Sequence, residues 1–161
     1  MPPTNLERFQ RLINTTMAEH SPSPLARWLG GTLRHAEPGK ATFVFTVREE
    51  MTNPAGILHG GAAAAIIDEV IGATVHGTLE TEFFYTSVNL TVDFLASAPA
   101  GATITATTQV VRQGKTIINV ECWLHDAAGV PLAHATSNML RTTVPVRKHV
   151  SDPVLRSQAN V

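Results

Sequence analysis

The sequence predicts an α+β fold: a curved antiparallel sheet of about five to six strands wrapped around one long buried helix, with a short N-terminal helix ahead of it. Three observations lead there. The block from Gly61 to His76 is apolar almost throughout, interrupted only by Asp68, Glu69 and Thr74, so a helix built on it must be covered on most sides. From Tyr85 onward, runs of alternating residues follow one another with turn residues between them. The 161 residues make one domain, long enough to bury a substantial core without a disulfide or structural metal.

Leu6, Phe9, Leu12, Ile13 and Met17 recur at helical spacing behind the capping candidates Thr4 and Asn5, which predicts an amphipathic helix over roughly residues 5–19. Ser21-Pro22-Ser23-Pro24 ends it. Gly31 to Ala36 and Ala41 to Val47 read as a hairpin, because Glu37-Pro38-Gly39-Lys40 supplies the turn and Phe43, Phe45 and Val47 alternate. Asn53-Pro54-Ala55-Gly56 breaks the pattern before the long helix. Four strands follow, at 87–95, 103–112, 116–125 and 132–144, with Gly or Pro in each intervening turn. In the third of these, Ile118, Val120, Cys122 and Leu124 take one face while Asn119, Glu121 and Trp123 take the other, as in a half-buried antiparallel strand. The chain thus divides into an N-terminal helix and linker (1–24), the α+β domain (25–145) and an irregular tail (146–161).

Composition removes several functions. Twelve basic and 13 acidic residues give a net charge of -1, and no basic run is interleaved with aromatics, so no nucleic-acid partner is expected. The single cysteine, Cys122, fits a reducing compartment. Residues 1–20 carry Glu7, Arg8, Arg11 and Glu19 among their apolar positions, unlike a signal peptide, and no segment approaches the roughly 18 apolar residues of a membrane span. The expected location is the cytoplasm, with no membrane partner. The seven histidines are scattered without metal-ligand spacing, so neither a metal nor another cofactor is expected. A Ser-His-Asp hydrolase is excluded by the absence of a Gly-x-Ser-x-Gly elbow.

The chemistry concentrates between Asn53 and Gly72. An amide, an imidazole and two glycines precede the helix, and a carboxylate, Asp68, lies within it. This spacing, Asn-Pro-x-Gly-x-x-His-Gly-Gly-x(6)-Asp-x-x-x-Gly, resembles that of the hotdog-fold acyl-CoA thioesterases, in particular the phenylacetate-pathway (PaaI-like) branch of the 4-hydroxybenzoyl-CoA thioesterase superfamily. The resemblance covers roughly residues 25–144. It implies an acyl-CoA substrate, aryl-acetyl, aromatic or medium-chain, hydrolysed to the free acid and CoA. It also implies a homodimer whose two sites lie at the interface, assembled further into a dimer of dimers.

Helical geometry points to the same assembly. Nine residues separate His59 from Asp68, about 13 Å of rise and two and a half turns, so their side chains leave nearly opposite sides of a helix. If both serve one reaction, a second copy must supply one of them.

Each chemical role has a candidate. The N–H groups of Gly60 and Gly61 sit at the positive end of the helix, suited to a developing oxyanion. Asp68 is the catalytic carboxylate, acting as base or as nucleophile, with the adjacent Glu69 as runner-up. Asn53 and His59 also have ordinary roles, as a turn former and a structural hydrogen-bonder. The resemblance makes Asn53 the residue that positions water or substrate and sets His59 near the thioester carbonyl. It also matches Ser87, with Thr86 as the neighbouring alternative, to a hydroxyl that holds the attacking water beside the carboxylate. Arg112, Lys115 and Arg141 are the CoA phosphate candidates, and Trp28, Leu29, Phe83, Phe84 and Tyr85 the acyl-pocket candidates. Two rival readings remain open: a non-catalytic acyl-CoA binding or sensing protein, and an acyl-thioester dehydratase or hydratase of the same fold.

Overall fold

A computed structural model describes residues 1–146. The long helix, α4 (Gly60–Thr78), forms on a run of alanines and aliphatic residues. Its buried positions, Ala63, Ile66, Ile67, Val70, Ile71, Thr74, Val75 and Thr78, repeat at three and four residues, which fixes a single face against the sheet. The six strands are β1 (Thr32–Glu37), β2 (Lys40–Thr46), β3 (Phe83–Phe94), β4 (Thr103–Gln113), β5 (Ile117–Asp126) and β6 (Pro131–Pro145). They form one antiparallel sheet in the order β1-β2-β4-β5-β6-β3. Both β1 and β3 are therefore edges.

The core lies between α4 and the sheet, where Phe43, Phe45, Ile104, Ile118, Cys122 and Leu124 are buried. Polar atoms there are paired. The Thr74 hydroxyl bonds to that of Thr108, Thr108 donates to the Ala41 carbonyl, and Thr78 accepts from the Gly39 N–H at 3.0 Å, joining the helix to the first hairpin.

The N-terminal region departs from the single helix expected over residues 5–19. It forms α1 (Asn5–Gln10) and α2 (Met17–His20), separated where Asn14 adopts a left-handed φ of 68°. The break lets Asn14 N–H reach the Leu33 carbonyl and Met17 N–H the Gly31 carbonyl, tying the segment to the first strand. A further helix, α3 (Pro24–Leu29), runs from the last residue of the expected linker into the start of the expected domain, where no helix was expected. Its signals were local: Ser23 caps it, Pro24 opens it, and Gly30 closes it at φ 72°. The edge strand β3 also begins at Phe83, four residues before the expected start. Of the expected tail only Val146 is described, its N–H bonded to the Glu82 carbonyl; residues 147–161 lie outside the described residues.

The long helix is less enclosed than its composition predicts. The sheet and α1 cover one side, while Gly61 and Asp68 are exposed and Ala64 and Ala65 only partly covered. Asp68 is thus not buried in this chain, because the sheet ends at β3 without wrapping the remaining side of the helix.

Candidate active site

Gly61, Ala64, Ala65 and Asp68 fall at i, i+3, i+4 and i+7, so they make one stripe of α4. Opposite them run Ser87, Val88, Asn89 and Leu90 of β3, and between the two walls lies an open cleft of about 480 Å³. At its end the Ser87 hydroxyl donates to Asp68 Oδ1 at 2.8 Å. This pair joins two of the expected site residues. Alanines and glycine keep the helix wall low enough for a ligand to reach it, a signal the sequence carried in the spacing of Ala64 and Ala65.

The helix entrance is built differently from the expectation of two equivalent donors. His59 is the N-cap, and its Nδ1 accepts from Gly61 N–H at 2.8 Å, which leaves the proton of the neutral ring on Nε2. Gly60 N–H, in the first turn, has no intrahelical acceptor. A side chain at Gly60 would meet the Phe94 ring, since an added Cβ would lie 3.3 Å from its Cζ. Asn53 shapes the preceding loop: its Oδ1 accepts from the Ala55 N–H at 3.0 Å and the Ile57 N–H at 3.4 Å. That turn uses the carboxamide oxygen and leaves its NH₂ group as a donor.

Glu69 turns away from this face. Burial raises its carboxyl above the usual range, against the pull of a hydrogen bond from Ser23, with the Asp68 charge adding to the rise. Among the described residues no cluster of three or more His, Cys, Asp or Glu side chains has the arrangement of a metal site.

The three expected phosphate contacts are all exposed and share one end of the sheet. Arg112 and Lys115 flank the β4–β5 turn, and Arg141 N–H donates to the Thr116 carbonyl of that turn at 2.8 Å. Ser87 pairs with Met139, Met139 with Ile118, and Ile118 with Gln113. The cationic turn is therefore level with Ser87, three strands away, or roughly 14 Å.

The expected acyl-pocket residues are not gathered in one place. Leu29 and Tyr85 are buried in the core. Trp28 lies under the Arg48 guanidinium, 5.0 Å from ring to cation, and Phe83 under that of Arg141 at 5.4 Å. Phe84 stacks on His76. Val88, Leu90 and Phe94, near the exposed carboxylate and the helix entrance, were not singled out by sequence because their alternation reads as an ordinary strand.

A long helix cradled by a six-stranded antiparallel sheet is the hotdog architecture. The fold aligns with that of the PaaI protein from the Escherichia coli phenylacetic acid degradation operon with a TM-score of 0.71, at 24% identity, over 78% of this chain and 88% of that one. The family model described as the thioesterase superfamily matches residues 55–133. The SSO2140 protein of Saccharolobus solfataricus, an esterase candidate, is 32% identical over 113 residues, 69% of this chain and 79% of its own length. The chain belongs to the thioesterase superfamily. Human acyl-coenzyme A thioesterase 13 is 36% identical over 86 residues, 53% of this chain. That match spans 61% of the human protein's length.

Proposed function

We propose that this protein hydrolyses an acyl-CoA thioester to the free acid and CoA, at two composite sites of a homodimer. The observation that carries the reading is the Asp68–Ser87 hydrogen bond, at 2.8 Å, in a cleft left open at an unpaired sheet edge. A carboxylate with a hydroxyl beside it can hold and deprotonate water. The name of the human relative, an acyl-coenzyme A thioesterase, supports the substrate class. So does the cationic end of the sheet, a suitable partner for CoA phosphates.

The dimer follows from where the half-sites lie on β3. Ser87 and Asp68 meet near its beginning, whereas Phe94 lies against Gly60 at its end. If the β3 edges of two copies pair antiparallel about a two-fold near Leu90 and Thr91, Gly60 and Asn53 of one copy approach Asp68 and Ser87 of the other. The exposed Val88, Phe94 and Leu95 would be covered at the same time.

In the assembled site the thioester carbonyl accepts from Gly60 N–H, with the Asn53 amide as a second donor. Asp68 then either removes a proton from attacking water or attacks the carbonyl itself, giving an anhydride that water opens. Both routes break the C–S bond and release CoA as its thiolate, which takes up a proton. Arg112, Lys115 and Arg141 bind the nucleotide end.

The test is a panel of aryl-acetyl, aromatic and medium-chain acyl-CoA thioesters assayed for free thiol, with Asp68→Ala alongside. Release that the variant loses supports hydrolysis. Tight binding without release overturns it in favour of an acyl-CoA sensor. Full activity in a protein that sediments as a monomer would remove the composite site.

A further inference from the structure

His76 lies two turns beyond Asp68 on α4 and takes no part in the chemistry above, yet both of its ring nitrogens are engaged. Nδ1 lies 2.9 Å from the Gly72 carbonyl, which can only accept, so Nδ1 carries the proton. Nε2 accepts from the Tyr85 N–H at 3.1 Å, so the ring is neutral with its tautomer fixed. The Phe84 ring stacks on it, centroids 4.6 Å apart and planes within 13°. Burial also disfavours its charged form.

The contact falls on a weak part of the sheet. The β3–β6 register is interrupted between Phe83 and Tyr85 and again between Ser87 and Asn89, where Val88 is an extra residue. Tyr85–Ser87 is thus a short paired stretch between two irregularities, on a strand with no neighbour on its other side within the single chain. Two side chains of α4 hold it: His76 at the Tyr85 N–H and Asp68 at the Ser87 hydroxyl.

We propose that His76 is a positioning residue, fixing Tyr85–Ser87 against α4 so that the Ser87 hydroxyl meets Asp68. Without its acceptor, a main-chain donor that faces away from β6 at the sheet edge has no partner within the chain, and the segment carrying Ser87 can drift from the carboxylate.

The role rests on the hydrolase reading, so its test has a readout independent of turnover. His76→Phe keeps a ring against Phe84 and removes the acceptor; His76→Gln keeps an acceptor. The His76→Phe protein is expected to exchange its Tyr85 amide hydrogen at least tenfold faster than wild type, measured by NMR, and to lose about tenfold in kcat with KM within twofold. His76→Gln should recover a substantial part of both. Unchanged Tyr85 exchange, or a wild-type kcat in His76→Phe, overturns the proposal, as does a Gln variant no better than Phe. A wild-type protein that releases no CoA would instead defeat the hydrolase reading, whatever the exchange rates.

Discussion

Replacing Asp68 by asparagine separates chemistry from structure at the centre of the site. The carboxamide oxygen that Asp68→Asn introduces can still accept from the Ser87 hydroxyl, which in the wild-type protein lies 2.8 Å from Oδ1, so the cleft keeps its shape. Asp68 is exposed in the protomer, and exposed substitutions usually change stability by less than about 0.5 kcal/mol. What disappears is a group able to take a proton or attack a carbonyl. General-base catalysis contributes about 10²- to 10⁴-fold. At 1.36 kcal/mol per tenfold, the variant should lose about 2.7–5.4 kcal/mol of transition-state stabilisation. Thiol release from an acyl-CoA, followed with a chromogenic thiol reagent, gives kcat, and thermal unfolding gives stability. A fall of at least a hundredfold in kcat at unchanged Tm is expected. A variant within tenfold of wild type would refute the assignment of Asp68.

Three other perturbations reach different parts of the molecule. Phe43 is fully buried with its ring 6.2 Å from that of Phe9 and 6.5 Å from that of Phe45, so Phe43→Ala should cost about 3–5 kcal/mol in chemical denaturation. Because burial holds the His76 imidazole below its ordinary pKa of 6.5, the unfolded chain takes up a proton first as pH falls. Stability is therefore lost below about pH 6.5 down to the folded-state pKa, with a slope of at most about 1.36 kcal/mol per pH unit, and a His76→Gln protein should lack that part of the slope in denaturation series. Arg141→Ala combined with Lys115→Ala should raise KM for acyl-CoA about tenfold while leaving hydrolysis of a thioester lacking the nucleotide unchanged, as steady-state kinetics would measure.

The strand succession and the long helix were legible because their periodicities are long and interrupted by clear turn residues. The N-terminal helix was not, because Leu6, Phe9, Leu12, Ile13 and Met17 hold a helical rhythm across a break set by tertiary bonds from Asn14 and Met17 to Leu33 and Gly31. Asp68 and Ser87 were identifiable from a motif and its downstream strand, and the structure brings them together within the protomer. His59 shows the limit of spacing alone: its ring caps the helix through Gly61 N–H, so it occupies one of the two expected oxyanion donors. His76 carried no sequence signal, since its role depends on the Tyr85 N–H facing out of the edge strand toward the helix, a tertiary pairing that propensity does not reveal.

The central claim is that one site draws on two chains. Asp68→Asn and Asn53→Ala proteins should each be nearly inactive alone. After mixing in equal amounts and exchange of subunits, about half of the dimers are mixed and each mixed dimer holds one intact site of two, so activity should return to about a quarter of wild type. Mixed dimers verified by native mass spectrometry but no more active than either parent would contradict a shared site.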